Sequence, residues 1–328
     1  MVKDVGTESI KIKGNAIYFR SLTLKQKLSQ MILVRGDRYN KKHLDLNLGG
    51  VFLNKLKFPE KYKKVIKKYK DNSKVRLFIA TDFEGLWTPF ITKKYAEKFP
   101  KFLDIKTKEE AYEVGVEQGK IMKKIGFNLN FSPVAEYIDD VYGGRVFVGA
   151  KKEIKNKIRF YIRGLQENVF GTCKHYPGKS MLKNLHKVSH KQKITKENLE
   201  LFEVCKKEDV SSIIIGHQKV YGKIFSNDKP STVSKSVIDS LNHFKGLIIS
   251  DEVSMKGLKK FYIKKKKMYI DLINSGENLI LDFYSSIKEL HELLNGLELE
   301  VKNGKINEEK INKSVKKILK MKGYRVLD

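Results

Sequence analysis

The sequence is poor in cysteine and has no long apolar run. Cys173 and Cys205 are the only two cysteines among 328 residues, and they form neither a CxxC pair nor a metal-ligand spacing. So few cysteines in a long chain predict free thiols in a reducing compartment. No run reaches the roughly 18 apolar residues of a membrane helix, and the N-terminus lacks the apolar core of a signal peptide. We therefore expect a soluble, cytoplasmic protein without membrane contact.

Glycine-rich phosphate loops and recognisable metal motifs are also missing. Neither GxGxxG nor GxxxxGK[ST] occurs, which argues against a nucleotide cofactor. Asp82, His175 and His217 are residue types that can bind a metal, but no HExxH or comparable spacing connects them. The sequence therefore predicts neither a cofactor nor a metal.

Acidic residues are outnumbered by basic ones. The chain has 67 Lys and Arg against 38 Asp and Glu, a formal net charge of +29. Such a field attracts phosphates and anionic surfaces without regard to sequence. The lysines are spread over nearly every predicted helix and interleaved with acids, which favours a generally solvated surface over a nucleic-acid-binding face. The run 259–267 mixes aromatics with cations and leaves a phosphate-binding role open.

Short apolar segments alternate with amphipathic segments along most of the chain. The predicted strands are 31–34, 50–53, 77–80, 127–131, 169–172, 212–215, 246–249 and 278–281. The predicted helices are 21–31, 107–125, 151–168, 196–208, 233–242, 257–275, 285–299 and 307–321. Alternation implies parallel strands with right-handed crossovers, and eight units favour a closed (β/α)8 TIM-type barrel over an open doubly wound sheet. No linker is evident, so we predict one catalytic domain, 21–328, after a polar lead-in, 1–20.

Polar side chains follow the predicted strands near the point where each strand ends. They are Asp82, Arg145, Lys174, His175, His217 and Asp251. In a parallel barrel this end collects the reactive groups. Asp251 alone could be a helix cap, but the patches on the other strands favour a site role. A carboxylate surrounded by cations suits glycoside hydrolysis, because its oxocarbenium-like transition state needs a negative group on one side and a proton donor on the other.

The motifs at these strand ends resemble those of the single-domain β-N-acetylglucosaminidases of glycoside hydrolase family 3. The resemblance runs from about residue 20 to about residue 320, and its segments are 22–31, 81–85, 131–134, 144–147, 174–178, 215–217 and 250–255. It implies that Asp251 is the catalytic nucleophile. It also implies sugar-binding roles for Asp82, Arg145, Lys174, His175, His217 and Met255.

The family's general acid/base is a histidine on a loop, paired with an aspartate two residues earlier. The best match here is His186, in a loop one residue shorter, with His190 as the fallback. Asn184 stands where the family has the aspartate. An amide can orient the imidazole but cannot supply the negative charge that stabilises the imidazolium, so we expect His186 to be a poorer base. Three alternatives stay open: a slow hydrolase, a phosphate-using variant and a sugar-binding barrel without turnover.

Some side chains near the predicted site have structural interpretations. Glu136 lies in an acidic loop with Asp139 and Asp140 that we interpret as solvated. Trp87 is interpreted as packing at the barrel rim rather than stacking on a sugar. Lys174 could form a buried ion pair with Asp82 or Asp251, which is compatible with binding a ligand.

The resemblance as a whole implies a retaining glycoside hydrolase. It would remove terminal β-linked N-acetylglucosamine from a muropeptide or a related glycan during cytoplasmic peptidoglycan recycling. Asp251 would form the covalent glycosyl-enzyme, and His186 would act as acid and then base. The expected partner is a small carbohydrate and not a nucleic acid, and we expect a monomer.

Overall fold

The computed structural model describes residues 10–56, 58–85, 99–137, 143–178 and 191–328. Its strands are β1 Ile12–Lys13, β2 Ala16–Tyr18, β3 Ile32–Arg35, β4 Gly50–Phe52, β5 Phe78–Thr81, β6 Leu129–Asn130, β7 Thr172–Tyr176, β8 Lys191–Ile194, β9 Ser212–Ile215, β10 Lys219–Gly222, β11 Leu247–Ser250, β12 Ile280–Asp282 and β13 Arg325–Leu327. The α-helices are α1 Leu24–Gln30, α2 Lys41–Asp45, α3 Pro59–Asn72, α4 Lys108–Ile125, α5 Lys151–Gln166, α6 Lys196–Lys207, α7 Lys235–Asp239, α8 Lys256–Lys259, α9 Lys265–Ser275, α10 Ile287–Lys302 and α11 Glu308–Met321.

Eight parallel strands follow one another in a ring. One sheet has the order β12-β3-β4-β5-β6 and a second has the order β11-β9-β7. Parallel bridges join the two sheets at both ends, between Leu129 and Phe170 and between Ile249 and Leu279. Further backbone hydrogen bonds reinforce each junction, from Lys174 N to Pro133 O at 3.1 Å and from Ser250 N to Leu279 O at 2.9 Å. The prediction of a (β/α)8 barrel is therefore confirmed, and the open-sheet alternative is wrong.

Burial explains why these segments form the ring. All four residues of β9 are buried, as are those of β5, so each strand reads as a continuous run without polar alternation. In α11, by contrast, the buried residues recur at three- and four-residue steps and so lie on one face of the helix. Where α4 crosses α5, a Cβ added at Gly115 would lie 2.5 Å from Tyr161 O, and one at Gly164 would lie 2.2 Å from Tyr112 O. Only glycine allows these two helices to approach so closely.

The predicted elements differ from the observed ones in a few places. The strand predicted at 169–172 is β7, which begins where that prediction ends, because Lys174 and His175 interrupt its apolar pattern. The helix predicted at 257–275 is two helices, α8 and α9, separated by the residues before Lys265. The lead-in contains β1 and β2, and β2 pairs in parallel with β13 at the other end of the chain.

The prediction of free thiols is wrong. Cys173 of β7 and Cys205 of α6 form a disulfide, with their Cα atoms 6.5 Å apart. Both side chains are fully buried, so the bond links a barrel strand to the helix packed against it. Disulfides are typical of oxidising compartments. A cytoplasmic location therefore stays a prediction. In the described ranges, no helix combines the length and the apolar character that a bilayer crossing requires.

Candidate active site

The carboxyl ends of β5, β7 and β11 bring the predicted site residues to one end of the barrel. Lys174 of β7 pairs with Ile214 of β9, which pairs with Ile249 of β11. Asp251 follows β11 directly. Neighbouring strands are about 4.8 Å apart, so the axes of β7 and β11 are separated by about 10 Å. At this end of the barrel, Lys174 and Asp251 therefore lie on either side of β9.

Four charged side chains form a connected network at this end of the barrel. Lys174 Nζ donates a hydrogen bond to Asp82 Oδ1 at 2.6 Å and lies 2.8 Å from Glu84 Oε1. Glu84 also accepts two hydrogen bonds from Arg145, from Nε at 2.5 Å and from Nη2 at 2.9 Å. The ion-pair interpretation of Lys174 is thus confirmed for Asp82, while its sugar-binding role stays a prediction. We call these four residues the charge network.

The charge network keeps its two buried members, Glu84 and Lys174, ionised. Burial alone would raise the pKa of Glu84, but the neighbouring Arg145 and Lys174 charges lower that pKa to about 2. Burial would likewise lower the pKa of Lys174, yet the carboxylates of Asp82 and Glu84 raise it. Glu84 is fully buried, whereas the side chains of Asp82 and Arg145 are 27% and 15% exposed. The outer two members can therefore reach a ligand while the inner two hold them in place.

His175 is held by Glu136, and the interpretation of Glu136 as a solvated residue is wrong. Glu136 is buried, and its Oε1 lies 2.9 Å from His175 Nδ1 and accepts the His175 amide at 3.3 Å. Because a carboxylate only accepts, Nδ1 carries a proton and donates it to this bond. The carboxylate therefore fixes both the tautomer and the orientation of the ring. Glu136 thus holds His175 in place next to Lys174.

Asp251 is fixed through its backbone and one carboxylate oxygen. Its amide donates to Ile215 O at 3.0 Å, and its Oδ1 accepts the Glu252 amide at 2.8 Å. The following helix, α8, begins at Lys256 with Met255 as its N-cap residue. The helix-cap alternative for Asp251 is therefore wrong, because the cap lies four residues further along the chain.

His217 ties the end of β9 to the segment that carries Asp251. The imidazole is fully buried, with Nδ1 2.5 Å from Thr232 Oγ1 and Nε2 2.9 Å from the carbonyl oxygen of Glu252. A carbonyl accepts only, so Nε2 donates. This geometry gives His217 a positioning role next to Asp251, and its direct contact with a sugar stays a prediction.

Several predicted residues lie outside the described part of the chain. They are His186, Asn184, His190, Trp87, Asp139 and Asp140. Met255 is described; it is half-buried at the start of α8, and its sugar-binding role stays a prediction. Among the described residues, no three His, Cys, Asp or Glu side chains are grouped to hold a metal ion. Of the three possible metal ligands, Asp82 pairs with Lys174 and His175 with Glu136.

Two site residues were missed from the sequence, Glu84 and Glu136. A signal for Glu84 was available, because Asp82 and Glu84 are two residues apart just after β5 and two cations were predicted at the same end. Two carboxylates facing two cations balance their charges. Glu136 lies in an acidic stretch that resembles a solvated loop. Only the fold brings it to His175.

The comparison with a protein-family model identifies the lineage of this arrangement. The model described as "Glycosyl hydrolase family 3 N terminal domain" matches residues 23–321.

Two curated proteins are similar to this chain at low sequence identity. Beta-hexosaminidase LpqI of Mycobacterium tuberculosis is 21% identical over 239 residues, which are 66% of this chain and 60% of that protein. Beta-hexosaminidase A of Pseudoalteromonas piscicida is 23% identical over 290 residues, 76% of this chain and 48% of that protein. The chain therefore spans less than two thirds of the length of these relatives.

Solved structures share the fold. A glycoside hydrolase family 3 beta-N-acetylglucosaminidase from Paenibacillus sp. superposes with a TM-score of 0.82 and 23% identity, covering 92% of this chain and 62% of that one. LpqI of M. tuberculosis superposes with a TM-score of 0.79 and 18% identity, covering 93% and 95%. The match of the family model over nearly the whole chain settles membership: the chain belongs to glycoside hydrolase family 3.

Proposed function

We propose that this protein is a retaining β-N-acetylglucosaminidase that removes a terminal sugar from a muropeptide or a related glycan. The observation that carries the proposal is the placement of Asp251. It is held at the carboxyl end of β11, two strands from the charge network, in a family 3 chain. Relatives named beta-hexosaminidase support the choice of sugar.

Hydrolysis would take place in two steps. In the first, the Asp251 carboxylate attacks the anomeric carbon, the bond to the leaving oxygen breaks, and His186 gives that oxygen a proton. In the second, His186 takes a proton from water, the water oxygen attacks the same carbon, and the Asp251–sugar bond breaks. Two inversions at one carbon give net retention. The His186 assignment rests on the sequence motif alone.

The charge network would bind the sugar hydroxyl groups. Asp82 accepts and Arg145 donates charge-assisted hydrogen bonds, which are roughly twice as strong as bonds between neutral groups. Their geometry is set before the sugar arrives, because Lys174 and Glu84 already hold them from the buried side. Such preorganisation avoids the cost of arranging these side chains during the reaction.

A substrate profile tests the proposal. Aryl β-glycosides of N-acetylglucosamine, glucose and xylose are compared with and without phosphate. We expect the N-acetylglucosaminide to be hydrolysed fastest, with no dependence on phosphate. A preference for glucoside or xyloside contradicts the proposed sugar, and a rate that rises with phosphate, together with a sugar phosphate product, contradicts hydrolysis.

A second candidate, a sugar-binding barrel without turnover, is favoured by Asn184. The matched test is Asn184→Asp, which supplies the charge that the family's dyad has. A large gain in rate supports a weakened enzyme. Absence of turnover in both forms, with N-acetylglucosamine still bound, supports the binding protein.

A further inference from the structure

A two-stranded parallel ribbon stands outside the barrel ring at the end that carries the site. It consists of β8 and β10, in which Lys191 pairs with Lys219 and Lys193 with Tyr221. β8 lies between β7 and α6, and β10 lies between β9 and α7. Both strands therefore belong to connections that leave the carboxyl ends of barrel strands. β10 begins two residues after His217, which contacts the Asp251 segment.

Alternation along the ribbon gives it one buried and one exposed face. Gln192, Ile194 and Val220 are buried against the barrel. The opposite face presents Lys191, Lys193, Lys219 and Tyr221, and Phe261 from the connection between α8 and α9 lies beside them. We call these five residues the ribbon surface. The segments that follow β7, β9 and β11 thus all contribute to one surface next to the site.

Cations and aromatic rings are in direct contact on the ribbon surface. Lys219 Nζ lies 4.5 Å from the centre of the Phe261 ring, and Lys191 Nζ lies 5.8 Å from that of Tyr221. Tyr221 and Phe261 are each 39% exposed, so part of each ring faces solvent. Cation–π contacts of this kind hold the rings in place without burying them. The exposed rings offer flat apolar surfaces to the C–H faces of sugars.

The ribbon surface carries three lysines and no acidic residue. Asp228, a carboxylate that pairs with Lys191 at 3.0 Å, has a side chain that is 72% exposed. Its hydrogen bond to Lys191, the charge of Lys191 and that of Lys219 lower its pKa. Closely spaced lysines repel one another, and an anion with several charges relieves that repulsion. A neutral glycan would use the rings and leave the charges unmatched.

We propose that the ribbon surface binds the leaving-group side of a glycan that carries carboxylates beyond its terminal N-acetylglucosamine. The proposal rests on the proposed function for the identity of that terminal sugar. Charge complementarity selects the acidic glycan, and the two rings bind its sugar faces. The surface is thus a specificity determinant for an acidic leaving group, separate from the charge network that holds the terminal sugar.

Two tetrasaccharides of equal length test this proposal. One is a hyaluronan tetrasaccharide with N-acetylglucosamine at its non-reducing end, and the other is chitotetraose, which is neutral. Lys193→Glu with Lys219→Glu reverses two charges on the ribbon surface. Lys123→Glu with Lys124→Glu makes the same change in net charge in the last turn of α4, where both side chains are exposed at the opposite end of the barrel. Thermal unfolding checks that both variants fold.

The expected result is selective for the acidic glycan. The ribbon variant loses tenfold or more in kcat/KM on the hyaluronan tetrasaccharide relative to chitotetraose, while the α4 variant keeps the wild-type ratio. For the wild type, raising the salt concentration from 50 to 300 mM lowers kcat/KM about tenfold on the hyaluronan tetrasaccharide, because salt screens several charge contacts. The kcat/KM on chitotetraose does not change. An equal loss on both glycans, or the same loss in the α4 variant, overturns the proposal.

Binding separates this proposal from the proposed function. Calorimetric titration of Asp251→Asn with both tetrasaccharides needs no turnover. If Asp251→Asn binds the acidic glycan more tightly than the neutral one, and the two ribbon substitutions abolish this difference, the ribbon surface is supported. This holds even if the wild type hydrolyses neither compound. Equal binding of both compounds overturns the ribbon surface even if the aryl N-acetylglucosaminide is hydrolysed.

Discussion

Replacing Glu84 by glutamine removes the carboxylate charge shared by Arg145 and Lys174 without changing the size of the side chain. Glu84 is fully buried and has three close contacts to these cations, at 2.5, 2.9 and 2.8 Å. Removing one partner of a buried ion pair costs about 3–5 kcal/mol of unfolding free energy. Lys174 keeps Asp82 as a partner, which places the expected loss near the lower end, about 3 kcal/mol.

The pH dependence of this loss has a definite sign. The pKa of Glu84 is lowered from its usual value of 4.5 to about 2 in the folded protein. The ionised form therefore stabilises the fold above pH 4.5, and this contribution disappears as the pH falls towards 2. Urea unfolding of wild type and Glu84→Gln should show a large difference in unfolding free energy between the two proteins at pH 7 and a smaller difference at pH 3.5.

A second buried glutamate provides the matched control. Both carboxylate oxygens of Glu277 lack a hydrogen-bond partner among the described residues, and burial raises its pKa well above the usual value. The folded protein then keeps the proton that the unfolded chain loses, so Glu277 reduces stability as the pH rises above its usual pKa. Glu277→Gln should leave the unfolding free energy unchanged in acid and raise it at pH 7.

Both substitutions replace a buried glutamate by glutamine. Opposite effects on the unfolding free energy would therefore show that the surroundings of each carboxylate determine the result. A loss below about 1 kcal/mol for Glu84→Gln at pH 7, the range of an exposed pair, would refute the reasoning about the charge network. A loss for Glu277→Gln that equals the loss for Glu84→Gln would show that any glutamine at a buried position is harmful.

Two further predictions concern the charge network and the disulfide. Arg145→Lys keeps the positive charge but loses the paired hydrogen bonds to Glu84. We therefore expect an unfolding free energy lower by about 1.5–3 kcal/mol and at least a tenfold loss of kcat/KM on the aryl N-acetylglucosaminide. Unchanged values in urea unfolding and in kinetics would contradict the paired geometry. Thiol titration of the chain unfolded without reductant should find neither Cys173 nor Cys205 free, and two titratable thiols would refute the bond. Reduction should lower the unfolding free energy by roughly 4 kcal/mol, because the bond closes a loop of 32 residues.

Much of the barrel could be predicted because its strands are buried on both faces. β9, for example, coincides with the apolar segment predicted at 212–215. The strand predicted at 169–172 was placed too early in the chain, because Lys174 and His175 lie within β7 itself and interrupt its apolar pattern. The ribbon of β8 and β10 was missed for a related reason: only one of its faces is buried, and lysines cover the other.

The site was predictable as a set of residue types at strand ends, but not as a set of contacts. The pairing of Lys174 with Asp82 joins residues 92 positions apart, and that of Arg145 with Glu84 joins residues 61 positions apart. No local pattern encodes such distances. Glu136 shows the same limit, since its acidic neighbourhood in the sequence resembles a solvated loop until the fold places it against His175.

The disulfide shows where compositional reasoning fails. A low cysteine count indicates a reducing compartment on average, yet it does not determine whether two particular thiols meet. Cys173 and Cys205 are 32 residues apart in sequence and are joined across the interface between β7 and α6. The connection between those two elements includes the segment to which the sequence assigns His186.

The central claim is that Asp251 is the nucleophile, and the most direct measurement is the turnover of an aryl β-N-acetylglucosaminide by wild type and Asp251→Asn. An amide of the same shape cannot form the glycosyl ester, so we expect kcat to fall by a factor of at least 10³, about 4 kcal/mol of transition-state stabilisation. Urea unfolding of the variant should match the wild type to within about 1 kcal/mol, because Asp251 is only partly buried. Unchanged hydrolysis by a folded Asp251→Asn would contradict the account.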